Sequence, residues 1–115
     1  MSKYQRSIMA QLRLGILPLA IETGRYTNIP VNERYCFSCK HEKKVEDEYH
    51  FVYECALYNC IRSNLIKYML ENTNGFIIMS NEEQFLQIMQ SDNRALHKFI
   101  ENAWNIRKAS LYSIT

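Results

Sequence analysis

The chain has 115 residues, with 14 Lys and Arg against 12 Asp and Glu, so its formal net charge at pH 7 is only +2. This length suits a single domain, residues 1–115, with a core of limited size. No stretch approaches the ~20 consecutive apolar residues of a membrane span, and no apolar leader with a small-residue cleavage site is recognisable. We therefore expect an intracellular protein, in the nucleus or the cytoplasm, without a membrane partner.

The positive charge is concentrated in the first part of the chain. Up to Val45 there are eight Lys and Arg against three Asp and Glu, whereas the remainder has six against nine. Clustered cations can neutralise the phosphates of a nucleic acid, although a solvated helix face is the commoner cause of such a cluster. The candidate nucleic-acid contacts are Lys3, Arg6, Arg13, Arg25, Arg34, Lys40, Lys43 and Lys44.

In chain order, the first predicted element is a helix over residues 3–14, where apolar side chains recur at three- and four-residue spacing. The connector that follows contains Pro18, Gly24 and Pro30. These residues favour extended pieces joined by turns over one long element. The basic helix and the connector together make up residues 1–35.

Next comes the Cys/His segment, which we define as residues 36–55. Cys36 and Cys39 form a C-x2-C pair, and His50 and Cys55 add an H-x4-C arm ten residues further on. Three thiolates and one imidazole are a set that Zn²⁺ binds in closed tetrahedral sites, with no position left for water or substrate. The spacing therefore predicts a structural zinc site, a small C-C-H-C zinc knuckle.

Two other interpretations of these cysteines compete with the zinc site. Buried reduced thiols are disfavoured because the segment between the two arms is crowded with charged residues. A four-thiolate site of Cys36, Cys39, Cys55 and Cys60 is permitted by the spacing. We expect Cys60 instead to behave as a small buried hydrophobe on the next helix, because a fourth thiolate would add negative charge beside the acidic run at 46–48.

Local structure within the Cys/His segment is predicted as a short strand at 34–37, a hairpin-like loop, and a helix that begins near Glu46. Acidic residues at that helix start are favoured by the helix dipole. His50 would lie on the helix and Cys55 at its end. Because five residues of ideal helix rotate by about 500°, Cys55 must lie on a turning last residue to reach the ion that His50 binds.

Residues 56–115 are predicted to be mostly helical. A first apolar stripe ends near Gly75, a capping box of Ser80 and Glu83 opens a second helix, and a long last helix starts at Asn93. The predicted fold class is therefore mainly α, with a small zinc knuckle and short hairpin packed against four or five helices.

The motifs LRLGILPLAIETGR, ERYCFSC and VEDEYHFVYECALY, the last followed by Arg62, resemble the zinc-binding domain at the C-terminal end of non-LTR (LINE-like) retrotransposon reverse transcriptases. The likeness covers roughly residues 12–68. In that family a basic helix precedes a C-x2-C pair and an acidic stretch leading to a His/Cys arm. The matching positions are Cys36, Cys39, His50 and Cys55.

The resemblance implies an accessory module that handles nucleic acid beside a polymerase. No paired aspartates of a polymerase and no acidic set of a nuclease are found, so we expect no enzyme activity and no small-molecule substrate. The expected partners are an RNA or DNA backbone and the remainder of a reverse-transcriptase polyprotein. The alternative is a zinc-stapled scaffold for protein contacts, or a fragment of a longer polyprotein.

Overall fold

The computed structural model describes the backbone of residues 2–114 and the side chains of residues 2–111, so the two limits of the predicted domain lie outside it. Its α-helices are α1 (Lys3–Arg13), α2 (Ala20–Thr23), α3 (Asn59–Asn72), α4 (Asn81–Gln90) and α5 (Arg94–Ile114). Short 3-10 turns lie at Val31–Glu33, Lys40–Glu42, Ala56–Tyr58 and Phe76–Ile78, and a π-helical turn lies at His50–Glu54. The mainly helical prediction is confirmed.

Helix starts follow local capping chemistry. Ser2 accepts the N–H of Gln5 at 3.0 Å and its own N–H donates to the Gln5 side chain, which makes a reciprocal capping box on α1. Ser80 accepts the N–H of Glu83 at the start of α4, which is one half of the predicted capping box. Asn93 accepts the N–H of Leu96 at the start of α5. These caps satisfy backbone donors that a helix cannot satisfy internally.

Helix α5 is the centre of the packing, since both α1 and α3 lie against it. It contributes Leu96, Phe99, Ile100 and Ala103 to the core, all buried. Burial of such apolar side chains contributes most of the stabilisation of a small helical domain. Among the described residues, no helix is both long and apolar enough to cross a membrane.

The connector between α1 and the Cys/His segment differs from the prediction. Instead of extended pieces it forms α2 and a 3-10 turn, and the guanidinium of Arg34 binds it into a compact loop. Arg34 donates to the carbonyl of Ile21 at 2.8 Å and to that of Ile29 at 2.9 Å. Its side chain lies over Gly24, where an added Cβ would come within 2.6 Å of Arg34 Cγ.

The predicted strand at 34–37 does not form in the described part of the chain, and the predicted hairpin is reduced to one antiparallel bridge, between Tyr35 and Val45. Next to that bridge, the N–H of Cys36 donates to the carbonyl of Lys44 at 2.8 Å. On the loop side the pairing stops because the chain turns immediately, through a 3-10 turn and a left-handed residue, Lys43, with φ of 56°. This pairing therefore closes the loop of residues 36–44, which carries Cys36 and Cys39.

Candidate metal centre

The four predicted ligands come together in the folded chain. One ligand atom from each of Cys36, Cys39, His50 and Cys55 lies within 4.8 Å of the other three, and all four residues are buried. The Sγ atom of Cys55 is 3.9 Å from that of Cys36 and 3.8 Å from that of Cys39. This cluster of three cysteines and one histidine could hold a metal ion.

The two nitrogens of His50 have different surroundings. Nδ1 lies 2.7 Å from Oε1 of Glu54, and because a carboxylate can only accept, Nδ1 carries the proton of this hydrogen bond. Nε2 is buried and has no hydrogen-bond partner within the described residues. A buried nitrogen lone pair without a partner is costly, so Nε2 is the atom that a metal ion would satisfy.

Cys36 and Cys39 are presented by a tight turn. The N–H of Cys39 donates to the carbonyl of Cys36 at 3.2 Å, and the N–H of Lys44 returns to the carbonyl of Cys39 at 3.5 Å. The turn brings both sulfurs to one side while the charged residues after Cys39 stay exposed. The dense charge near Cys36 and Cys39 is therefore compatible with buried thiols. The charged side chains of residues 40–44 face solvent, whereas the two cysteines do not.

His50 and Cys55 are presented by the π-helical turn. The N–H of Cys55 donates to the carbonyl of His50 at 2.7 Å, which is the five-residue bond of a π-turn. This turn is wider than an α-helical turn, and it brings His50 and Cys55 to the same side of the chain. An ideal α-helix would point them to different sides, because five of its residues rotate by about 500°. The side chain of Asp47 caps the turn by accepting the N–H of His50 at 2.8 Å.

Arg62 on α3 holds the π-helical turn in place. Its guanidinium donates to the carbonyls of Val52 at 2.7 Å and Phe51 at 3.3 Å, and to the side chain of Asn59. Burial lowers the pKa of Arg62 from its ordinary value. The sequence analysis did not find this role, although Arg62 lies three residues before Leu65 on the apolar stripe, where an arginine signals a buried partner.

A helix is predicted to begin near Glu46, and the helical turns begin two residues later, at Glu48. Glu46 itself precedes them. Its carboxylate is buried, where it accepts two hydrogen bonds from Arg107 of α5 and the N–H of Ala20 at the start of α2. Burial alone would lower the pKa of Arg107, but the bonds to Glu46 outweigh it and raise that pKa. This ion pair ties the Cys/His segment to the last helix.

Ionisation of Cys36 is favoured by its surroundings, and it opposes the ionisation of Cys39 and Cys55. A hydrogen bond from Cys55 lowers the pKa of Cys36 to about 4, and the same contact, together with burial, raises the pKa of Cys55. Burial raises the pKa of Cys39. The pKa of His50 lies above its ordinary value, because the neighbouring Cys36 and Glu54 outweigh the effect of burial. A cation at the centre would remove this conflict by stabilising all three thiolates.

Cys60 lies on α3 outside the cluster, and its thiol is exposed. The expectation that it is a buried hydrophobe is wrong, since its position one step from the apolar stripe points it to solvent.

The eight predicted nucleic-acid contacts are spread over three parts of the structure. Seven are exposed: three on α1, one after α2, and three around the C-x2-C turn; these are Lys3, Arg6, Arg13, Arg25, Lys40, Lys43 and Lys44. Arg25 pairs with Glu22 at 2.7 Å, and Lys44 lies 3.8 Å from Glu54. Arg34 is half-buried, and its guanidinium is occupied by backbone carbonyls.

Comparison of the chain with models of protein families, with curated proteins and with solved structures finds no match. The resemblance to the reverse-transcriptase zinc-binding domain therefore rests on the sequence motifs alone. The metal-ligand cluster is independent of that resemblance, since it follows from the positions of the side chains.

Proposed function

We propose that this chain is a non-catalytic zinc-binding module that binds nucleic acid through its basic N-terminal part. The observation that carries the proposal is the convergence of Cys36, Cys39, His50 and Cys55 into one buried set of ligand atoms. The proposal is that Zn²⁺ binds at this site and holds the loops of the segment together.

The geometry of the sulfurs supports zinc. In a tetrahedral site with Zn–S bonds of about 2.3 Å, neighbouring sulfurs are about 3.8 Å apart. The sulfur of Cys55 lies 3.8 and 3.9 Å from the two other thiols, far beyond the ~2.0 Å of a disulfide. Glu54 on Nδ1 of His50 is the kind of carboxylate partner that orients a metal-bound histidine.

A structural role is supported by the composition and the burial of the site. Three thiolates and one imidazole complete the tetrahedral set, which leaves no place for a reacting water. The Cys/His segment has few regular backbone hydrogen bonds of its own, so the binding energy of the ion would act as folding energy. Zinc in this role supplies stability and no chemical step.

The zinc proposal is tested on the purified full chain. Mass spectrometry under native conditions should find one Zn²⁺ per chain, and a strong chelator should lower the midpoint of urea unfolding. Absence of zinc from protein refolded with Zn²⁺, together with unfolding that the chelator does not change, would refute it.

Nucleic-acid binding is supported by the seven exposed cations and by the sequence resemblance, and Arg34 is left out of the contact set. Each phosphate neutralised by a cation releases counterions, so affinity should fall steeply with salt. We expect the double variant R6A/R13A to bind single-stranded RNA more weakly than the native chain and with a shallower salt dependence. Lys67→Ala, an exposed cation on α3, is the matched control.

A second function, protein docking, is favoured by a specific observation. Ile77 and Ile78, in the turn after α3, have 76% and 86% of their surface exposed. If the native chain fails to bind RNA or DNA at low salt while it retains zinc, the scaffold function replaces nucleic-acid binding.

A further inference from the structure

A groove of about 390 Å³ lies between α3 and α5, away from the metal centre. Ile61 and Tyr68 from α3 and Phe99 from α5 form its apolar part. Tyr68 has 36% of its surface exposed. This volume lies within the range of about 300–1,000 Å³ of small-ligand sites.

Two cations line the groove, and their position is unfavourable for the helix that carries them. Arg94 and Lys98 lie one turn apart at the start of α5, whose first turn contains no acidic residue. The positive end of a helix dipole repels cations. No carboxylate lines the groove, and neither cation forms an ion pair among the described residues. The groove is therefore complementary to an anion.

Two side-chain amides complete the walls. Asn64 of α3 and Asn102 of α5 line the groove, and neither has a hydrogen-bond partner in the described part of the chain. Each amide offers both donors and an acceptor. The groove thus combines an aromatic surface, two hydrogen-bonding edges and a pair of cations.

We propose that this groove binds one nucleotide of a single-stranded nucleic acid, and this inference rests on the nucleic-acid function proposed above. The base stacks on Tyr68, the amides of Asn64 and Asn102 bond its polar edge, and Arg94 and Lys98 bind the adjacent phosphate. Single-strand binding proteins combine stacking and phosphate contacts in this way.

The other occupants fit less well. An aliphatic side chain of an acidic peptide would fill the apolar part but leave both amides unpaired. The neighbouring cleft of about 640 Å³ shares Arg94 and Lys98 with the groove but is also lined by Asp92 and Glu101, which repel phosphate. We therefore assign the base and its phosphate to the groove that contains Tyr68, and not to the neighbouring cleft.

The experiment titrates the zinc-loaded chain of 115 residues into a fluorescein-labelled 12-nucleotide single-stranded RNA. Tyr68→Ala should weaken binding by about 5- to 150-fold, the size of a lost base–aromatic stack. Tyr68→Leu, which retains apolar contact without the ring, should show a similar loss. R94Q/K98Q should weaken binding and shallow the salt dependence, whereas Lys67→Gln, at an exposed cation of α3 outside the groove, should leave affinity within twofold.

The outcomes separate the two proposals. If R6A/R13A weakens RNA binding while both Tyr68 variants bind like the native chain, the groove is overturned and the N-terminal contact survives. If R94Q/K98Q loses affinity but the Tyr68 variants do not, base binding is overturned. Stronger binding of an acidic peptide than of RNA, lost in the same variants, would make the groove a peptide site. No RNA binding by the zinc-loaded native chain would overturn the proposed function itself.

Discussion

The carboxylate of Glu46 and the guanidinium of Arg107, 61 residues apart, are joined in the protein interior by two hydrogen bonds of 2.9 and 2.7 Å. The same carboxylate accepts the N–H of Ala20 at 2.6 Å. One buried acidic side chain therefore connects the Cys/His segment, α2 and α5. An ion pair in this position aligns three parts of the chain that share no regular hydrogen-bonded structure.

Arg107→Met should destabilise the zinc-loaded protein by about 3–5 kcal/mol, because it leaves the carboxylate of Glu46 buried without a cation. The free energy of unfolding in urea is the measurement. Lys108→Met, at the next and exposed position of α5, is the control and should cost less than about 1 kcal/mol.

The double variant E46Q/R107M separates a lost attraction from an uncompensated charge. The amide oxygen of the substituted side chain would still accept the N–H of Ala20, and no buried charge would remain. We therefore expect the double variant to be more stable than Arg107→Met alone. Equal or lower stability of the double variant would show that the ion pair itself, not the orphaned charge, accounts for the loss.

Arg62→Lys should also destabilise the protein, although it preserves the charge. A lysine cannot reproduce the fork that donates to the carbonyls of Phe51 and Val52, so at least one buried acceptor would lose its partner, at a cost of about 1–3 kcal/mol. Urea unfolding of the zinc-loaded variant measures it. Arg94→Lys makes the same change at an exposed site and should stay within about 0.5 kcal/mol.

Glu54→Ala should weaken zinc binding about tenfold or more, because Nδ1 of His50 would lose the acceptor that orients the ring. Competition with a chromophoric chelator measures the affinity. Glu54→Gln should lose less, since its amide oxygen still accepts from Nδ1. Glu42→Ala removes the same charge from the turn after Cys39 without touching His50, and equal losses in both alanine variants would assign the effect to charge alone.

His50→Ala should reduce the zinc content or sharply weaken zinc affinity, whereas Cys60→Ser should retain one Zn²⁺ per chain. The reason is position: Nε2 of His50 is buried and unpartnered, and Cys60 is exposed on α3. Native mass spectrometry of the two variants decides between the assignments. Retention of zinc by His50→Ala together with its loss from Cys60→Ser would overturn the ligand set.

The sequence by itself determined the features that depend on near neighbours. Ser80 and Asn93 mark helix starts because a cap bonds an N–H three residues away. The helix over residues 3–14 followed from apolar periodicity, and it ends one residue earlier in the structure. The candidate set of Cys36, Cys39, His50 and Cys55 also came from short-range patterns, a C-x2-C turn and a following His/Cys arm, although spacing alone left Cys60 open as the fourth member.

Only the tertiary structure decided which polar residues are buried. Glu46 and Arg107 look like ordinary surface charges in the sequence, and each becomes internal because its partner lies on another element. The π-helical turn between His50 and Cys55 likewise depends on Arg62, which satisfies the carbonyls of Phe51 and Val52. Local propensity could not reveal these contacts, because the carbonyls that Arg62 binds lie about ten residues away and the partner of Arg107 lies 61 residues away. Such contacts form only when the helices pack.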